Sequence, residues 1–427
     1  RYRVRFSSTI ELVNELEKEK LAGKAGRLAN RLTNTDLVMD RGAVVGLLTV
    51  DRSGRQILYV CSEVVLATGG IGRLWSHTTN PDEVTGDGLD WALEAAGLVD
   101  RKGRWSGGET HLVQLGDIPD RGPDTLRIIE HIDKLARQAK RKGGRVHGLI
   151  GNHEVMNVTG DLRYVHPGEY EAFVTRNSQA LQDRHFEAYL ANLEQSDPEA
   201  FATLPEDFRA QFNERYPLGW IEHQQAWNPA WNPDAEYAKW VMQRKVAVQV
   251  NETVFLHGGL SGFYCQNSLA SLTDMALERL RAYDPENPGI LEDDFGPFWF
   301  RGLSGGEPEA PLETVEAILA QHDAKHIVVG HTTTRGVIWP RYDARVIQAD
   351  TGIASYYGGY TAYLEITPDG LYAGYSWGKL PLPATDAEAV AYLEEVIARD
   401  PENPHLKKRL EDLTRPPQPP TAEAQLA

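Results

Sequence analysis

Residues 112–125, LVQLGDIPDRGPDT, place two carboxylates and an arginine directly behind an apolar stretch. The carboxylates are Asp117 and Asp120, and the arginine is Arg121. Carboxylates on a loop behind a strand are ligands for a hard metal ion, and an arginine there suits a phosphate. The stretch therefore predicts metal or phosphate chemistry, provided that the rest of the chain supplies the remaining ligands.

Three more predicted strands end in a residue that binds metals. They are followed by Asn152 in GNHE, His257 in LHGG and His331 in VGHT. Ligands collect at the carboxyl ends of strands in an open α/β sheet, so we expect these side chains to lie beside Asp117. A lone histidine at such a place is usually structural, but one carboxylate, one amide and two imidazoles together predict a site for Mn, Fe or Zn rather than Ca or Cu(I).

These motifs carry a resemblance to a known family. GDIPDRG, GNHE, HGGL and VVGHT resemble the motifs of the calcineurin-like metallophosphoesterases, in the phosphoprotein phosphatase branch. LVQLGDIPDRGPDT, GNHEVMN, LRYVHPGEY and FWFRG are similar to the bacterial Shewanella-like phosphatases, over about residues 95–380. The resemblance implies an α/β fold of two packed mixed β-sheets flanked by helices, with a helical insertion at about 160–243.

The resemblance also implies a metal centre. In the family's pattern Asp117 bridges two metals, and Asn152, His257 and His331 complete the second metal site. The expected cofactor is one or two divalent transition-metal ions, with Mn favoured and Fe or Zn as alternatives. A metal-activated water would attack phosphorus in line.

Four further residues receive roles by the same resemblance. His153, oriented by Asp120, would protonate the leaving oxygen. Arg121 and Arg301 would bind the phosphoryl oxygens. On the residues alone two alternatives stay open, an ion pair at a helix start for Arg121 and a surface position for Arg301.

One part of the family's pattern is missing. An Asp-x-His motif that binds the first metal is expected upstream of Asp117, and residues 1–116 contain none. The single Asp-x-His of the chain, Asp183-Arg184-His185, falls inside the predicted insertion and is interpreted as a solvated helix face. Three residues are candidates to rebuild the first site, with loop positions of no metal role as the alternative: His77, Asp87 and Asp90.

The N-terminal region resembles other proteins. Residues 1–35 are similar to part of the helper ATPases of insertion sequences, but without a phosphate loop. Residues 43–95 resemble part of L-aspartate oxidase, with Trp75 where the dinucleotide fingerprint has its third glycine. The chain therefore reads as a chimera, in which EVVLAT at 63–68 is a candidate for the family's missing first strand.

The predicted organisation has three parts. Residues 1–95 form an atypical extension, with a helix at 8–32 and then strands. Residues 96–380 form the phosphoesterase domain. Residues 381–427 form C-terminal helices and a disordered tail. The helical part is predicted at 385–413, where Thr385 and Glu388 form a capping box at its start. The insertion's tryptophans (Trp220, Trp227, Trp231 and Trp240) are predicted to form its core, with lining of the substrate cleft as the alternative.

Composition limits the partners. The net charge of −17 argues against nucleic acid, and the absence of any run of 18 apolar residues argues against a membrane span. Cys61 and Cys265 are predicted to be free thiols. The expected partner is a phosphorylated small molecule or phosphoprotein, and a homo-oligomer is left open. The location is unknown, with cytoplasmic favoured and periplasmic as the alternative if a signal preceded Arg1.

Three functions follow from these patterns. The first is a metal-dependent phosphoesterase that hydrolyses phosphomonoesters, with its first metal site incomplete. The second is a phosphatase-like protein that binds metal and phosphate with little or no catalysis. The third, a flavin oxidoreductase, is disfavoured because the glycine fingerprint is incomplete and the matching fragment is short.

Overall fold

The computed structural model describes residues 38–40, 43–50, 56–59 and 87–415. The chain forms two compact units, Arg1–Glu63 and Val64–Ala427. In the first unit, β1 (Val38–Asp40), β2 (Ala43–Val50) and β3 (Gln56–Tyr59) pair antiparallel in that order. The predictions for the helix at 8–32, the strand at 63–68, Cys61, His77 and the C-terminal tail lie outside the described residues.

The second unit alternates strands and helices. Its described strands are β4 (His111–Gln114), β5 (Arg145–Gly148), β6 (Ala247–Val250), β7 (Thr253–Leu256), β8 (His326–Val329), β9 (Trp339–Arg341), β10 (Val346–Gln348), β11 (Ala362–Thr367), β12 (Gly370–Tyr375) and β13 (Gly378–Pro381). Its described α-helices are α1 (Asp87–Ala95), α2 (Thr125–Lys140), α3 (Asn152–Thr159), α4 (Pro167–Ala172), α5 (Ser178–Ser196), α6 (Pro198–Ala202), α7 (Phe208–Arg215), α8 (Trp220–Trp227), α9 (Glu236–Val241), α10 (Leu269–Arg281), α11 (Leu312–Gln321), α12 (Ala389–Arg399) and α13 (Pro404–Thr414).

A long mixed sheet positions the motifs. β4 and β5 are parallel and joined through α2, as in a βαβ unit. A bridge between Leu149 and Lys245 leads from this pair to a five-stranded sheet in the order β6-β7-β8-β10-β9. β6 and β7 form the predicted hairpin, while β7, β8 and β10 run parallel. The carboxyl ends of β7 and β8 therefore lie side by side, and the bridge brings the residue after β5 next to the start of β6, which pairs with the end of β7.

A second sheet packs against this one. Along β7 the side chains alternate, so Phe255 enters one hydrophobic cluster while Val254 and Leu256 enter the other. The Phe255 cluster also holds Leu364 of β11 and Ala373 of β12, which belong to the antiparallel sheet β11-β12-β13. The predicted fold class, packed sheets flanked by helices, is confirmed, although short breaks divide the strands of this unit among three sheets rather than two.

Helices α4 to α9 occupy the place of the predicted insertion. Trp227 and Trp240 are buried in the main hydrophobic cluster, in line with the predicted core role. For Trp231 that prediction is wrong, because its side chain is 42% exposed, and Trp220 is half-buried. His185 on α5 does not lie on a solvated face: its ring stacks on Trp220, with 5.4 Å between centroids, and also contacts Phe212. Sequence spacing alone does not show this, because the three rings come from three different helices.

The C-terminal helical region is divided. The capping box of Thr385 and Glu388 is present, but helix α12 ends before Asp400 and α13 begins at Pro404. The two prolines in PENP, at 401 and 404, explain the break, because proline removes a backbone donor and clashes with the preceding turn. None of the helices in the described ranges combines the length and apolarity of a membrane span.

Candidate metal and phosphate-binding site

Two loops meet at the edge of the long sheet. Gly116 follows β4 with a φ of +93°, and a Cβ there would lie 2.4 Å from the backbone nitrogen of Gly151. A Cβ on Gly151 would lie 2.2 Å from an oxygen of Asp117. Only glycine fits at both positions. These glycines bring the Asp117 loop against the start of α3, where Asn152 is the first residue.

The four predicted metal ligands converge in the structure. The Nε2 atom of His257 lies 3.0 Å from the Oδ1 of Asn152, 3.1 Å from the Nδ1 of His331 and 3.2 Å from the Oδ2 of Asp117. All four side chains are buried. Among the described residues, Asp117, His257 and His331 form the sole group of three or more His, Cys, Asp or Glu close enough to share an ion.

The donor set of this cluster fits a cation. The Nδ1 of His257 lies 2.7 Å from the carbonyl oxygen of Leu115, which can only accept, so Nδ1 carries a proton. In the neutral ring Nε2 then presents a lone pair to an amide oxygen, a carboxylate oxygen and a second imidazole. Burial lowers the pKa of His257, but the charge of Asp117 outweighs it and raises the pKa. The cluster thus attracts positive charge, as a metal site does.

A histidine and an aspartate form a dyad beside the cluster. The Nδ1 of His153 lies 2.5 Å from the Oδ2 of Asp120, and the amide of Asn157 donates to the other carboxylate oxygen at 3.0 Å. Burial lowers the pKa of His153, but Asp117 and Asp120 outweigh it and raise the pKa to about 9. The Nε2 of His153 lies 3.9 Å from the Oδ2 of Asp117. The dyad therefore holds a proton next to the cluster.

Two buried glutamates hold the Asp117–Arg121 loop. Its residues Asp117, Asp120 and Arg121 have φ angles of 60°, 73° and 61°, which cost side-chain-bearing residues about 1–2 kcal/mol each. Glu154 accepts the backbone N–H of Asp117 at 2.8 Å, and Glu169 accepts that of Asp120 at 2.6 Å. Burial raises the pKa of both glutamates. The strained loop is thus fixed from two sides.

The two predicted phosphate ligands have different surroundings. The Arg121 guanidinium lies over the rings of Tyr164 and Tyr356, at 3.9 Å and 4.2 Å from their centroids. The Arg301 guanidinium donates to the backbone oxygen of His331 at 3.1 Å and to the hydroxyl of Thr332 at 2.9 Å. Arg121 is therefore fixed by aromatic contacts, and Arg301 is attached to the loop of a metal ligand.

The structure thus brings the predicted site residues together at the strand ends. Three further residues that the sequence did not indicate also belong to the site: Glu154, Glu169 and Tyr164. Asp90 lies elsewhere, with its carboxylate 3.8 Å from the Nε2 of His131. Glu154 was visible as the last residue of GNHE, but its partners were not. Glu169 and Tyr164 stand in LRYVHPGEY, where no local signal shows that they contact the Asp120–Arg121 loop.

Comparison with known proteins separates the N-terminal region from the rest. A family model described as FAD binding domain matches residues 11–111. L-aspartate oxidase from Bacillus subtilis is 44% identical over 69 residues, which cover 16% of this chain and 13% of that enzyme. The predicted likeness to L-aspartate oxidase is confirmed, and the FAD match begins further upstream than residue 43. The likeness of residues 1–35 to helper ATPases stays a prediction.

The remaining comparisons concern the sheets and the site. Shewanella-like protein phosphatase 2 from Arabidopsis thaliana is 27% identical over 273 residues, covering 62% of this chain and 67% of that protein. The crystal structure of a cold-active protein-tyrosine phosphatase from a psychrophilic Shewanella species superposes with a TM-score of 0.52 at 23% identity, covering 80% of this chain and 91% of that one. A family model described as calcineurin-like phosphoesterase matches residues 105–335, which include every predicted site residue. The predicted enzyme class, a phosphatase-type hydrolase, is confirmed, and the chain belongs to the calcineurin-like phosphoesterases.

Proposed function

We propose that this chain is a metal-dependent phosphatase that hydrolyses phosphomonoesters on proteins. The observation that carries the proposal is the convergence of the buried acceptor atoms of Asp117, Asn152, His257 and His331 beside the His153–Asp120 dyad. A divalent cation held by these four residues would supply charge that polarises the phosphoryl group and acidifies water. The mixed oxygen and nitrogen donors favour Mn, Fe or Zn.

The chain's own residues account for the other requirements of the reaction. Arg121 and Arg301 bind phosphoryl oxygens, which gain charge in the transition state. His153 donates its Nε2 proton to the leaving oxygen, while Asp120 holds the ring through Nδ1. Asn157 and Glu169 keep Asp120 in place. The geometry thus supports acid catalysis on one side of the phosphorus and charge neutralisation around it.

The substrate we propose is a phosphotyrosine residue. The rings of Tyr164 and Tyr356 lie over Arg121, and Tyr356 is 61% exposed, so an aryl leaving group bound at Arg121 would meet aromatic surface. The superposed Shewanella enzyme is named a protein-tyrosine phosphatase. Tyr356→Ala is expected to lower kcat/KM for a phosphotyrosine peptide more than for the matched phosphoserine peptide.

The direct test is hydrolysis of phenyl phosphate, whose basic leaving oxygen needs a proton from the acid. Protein stripped with a chelator and refilled with Mn is expected to turn over, and His153→Ala is expected to lose most of that activity. Full activity of His153→Ala, or equal activity of the stripped protein, would contradict the proposal. His131→Ala is the matched control, because His131 is a buried histidine on α2 that takes no part in the site.

A second function is favoured by one observation, the missing Asp-x-His motif. A chain that keeps Asp117, Asn152, His257 and His331 without that motif would bind a metal and a phosphate with little or no catalysis. Calorimetry with vanadate in the presence of Mn distinguishes the two functions. Heat of binding without turnover supports the second, and neither heat nor turnover excludes both.

A further inference from the structure

We propose that this chain binds one metal ion, where the resemblance to its family implies two. The inference deepens the proposed function, since it rests on the proposed metal dependence of the same site. It concerns the number of ligands that the chain supplies on each side of Asp117.

One side of Asp117 is fully supplied. Its Oδ2 atom faces the Nε2 of His257 at 3.2 Å, and that nitrogen also faces Asn152 at 3.0 Å and His331 at 3.1 Å. The tautomer of His257 is set by its contact with the backbone oxygen of Leu115. Four protein donors from four different strand ends therefore surround one point, which meets the usual requirement for a tightly held transition metal.

The other side of Asp117 has no comparable set. Its Oδ1 atom accepts the backbone N–H of His153 at 3.1 Å, and the His153 ring is already bound to Asp120. The carboxylate of Glu154 lies nearby, but it already accepts the backbone N–H groups of Asp117, Ile118 and Gly151. Within residues 88–415 no second group of three His, Cys, Asp or Glu side chains converges as the first does. A second ion would share Asp117, while the neighbouring carboxylate of Glu154 and the imidazole of His153 already have partners of their own.

The side chains that the structure describes offer no substitute for the missing motif. The chain's single Asp-x-His places His185 in an aromatic cluster on Trp220, and Asp183 forms an ion pair with Arg209. Asp90, a candidate for a rebuilt site, faces His131 instead. The donors that would hold a first metal are thus absent from residues 88–415 or engaged elsewhere in them.

Metal content and electron paramagnetic resonance test the proposal on the full-length chain. Protein stripped with a chelator, incubated with excess Mn(II) and passed through a desalting column is expected to retain one Mn(II) per chain. Its spectrum is expected to show the hyperfine pattern of an isolated ion. His257→Ala is expected to lose the ion at least tenfold more readily, whereas His147→Ala, which alters a half-buried histidine next to His111, is expected to retain it.

Two Mn(II) ions per chain with an exchange-coupled spectrum would overturn the proposal. In that case His77→Ala and Asp87→Asn would show which N-terminal residues complete the second site. The outcome is separable from the proposed function. Turnover with two bound ions would support the proposed phosphatase activity and overturn the single-ion site. One retained ion without turnover would support the single-ion site and overturn the phosphatase activity.

Discussion

Substitution of Asp120 by asparagine tests the acid catalyst directly. The Oδ2 of Asp120 lies 2.5 Å from the Nδ1 of His153, and its other oxygen accepts from Asn157 at 3.0 Å. An asparagine keeps the size of the side chain and one acceptor oxygen, while the negative charge is lost. The variant therefore removes the electrostatic support of the imidazolium without opening a cavity.

The expected loss follows from this contact. A hydrogen bond to a charged group contributes about 1.5–3 kcal/mol, which corresponds to about a 10- to 150-fold change in rate. Asp120 is also one of the charges that raise the pKa of His153 to about 9. Because a general acid acts only while protonated, the alkaline limb of the kcat profile is expected to shift to lower pH in Asp120→Asn.

The assay compares leaving groups. With phenyl phosphate, whose leaving oxygen is basic, kcat of Asp120→Asn is expected to fall about 10- to 150-fold at unchanged KM. With p-nitrophenyl phosphate the loss is expected to be smaller, because p-nitrophenolate leaves without much help from a proton. Asp124→Asn, in the same loop and paired with Arg127, is the control and is expected to keep full activity. Equal losses for both substrates, or none, would refute the assignment of His153 as the acid.

Three further changes have defined outcomes. Glu169→Ala is expected to lower kcat about tenfold, because the buried N–H of Asp120 loses its acceptor, which costs about 1–3 kcal/mol. Glu169→Gln is expected to restore kcat, since its amide oxygen can accept the same N–H. A similar loss of kcat in Glu171→Ala, which changes an exposed residue of the same helix, would contradict a specific role for Glu169. His223 is fully buried, and desolvation lowers its pKa from 6.5 to about 3. Between these two pH values the imidazole is protonated in the unfolded chain but not in the folded one. The free energy of unfolding therefore decreases as the pH falls through this range. His223→Phe is expected to reduce the loss of unfolding free energy between pH 7 and pH 5 by about 2 kcal/mol in urea titrations, and an unchanged pH dependence would exclude this cause. Arg301→Ala is expected to weaken vanadate binding about tenfold. Arg301→Lys is expected to restore it only in part, because lysine keeps the positive charge but lacks the planar guanidinium. Unchanged vanadate binding in Arg301→Ala would show that Arg301 does not bind phosphate.

The ligands of the site were predictable because each stands at a strand end. Asp117, Asn152, His257 and His331 follow apolar runs and have glycines beside or near them, and in an α/β sheet that pattern fixes both the edge and the direction of the side chain. The hairpin of β6 and β7 was predictable for the same reason, since two short apolar runs flank the polar pair at 251–252.

The supporting contacts were not predictable, because their partners are far apart in the chain. Glu169 accepts from Asp120 across 49 positions and Glu154 accepts from Asp117 across 37, and these two contacts hold the loop whose three residues have left-handed φ angles. His185 was misjudged on similar grounds, since helical spacing reports which residues share a face but not what other helices bring to it. The break between α12 and α13 could be predicted from the two prolines of PENP, since proline interrupts a helix.

The bridge between Leu149 and Lys245 bears on which part of the helical insertion could be replaced by another sequence. The backbone N–H of Ile150 donates to the oxygen of Lys245 at 2.9 Å, so the excursion through the helices leaves the sheet and returns to it at neighbouring points. Closing such an excursion costs only about 0.6 kcal/mol more for each doubling of its length. Residues 178–215, which hold α5 to α7 and supply no residue to the main hydrophobic cluster, are therefore expected to be replaceable by another segment. The stretches that carry Tyr164, Glu169, Trp227 and Trp240 must be kept, because these residues contact the Asp120–Arg121 loop or the core.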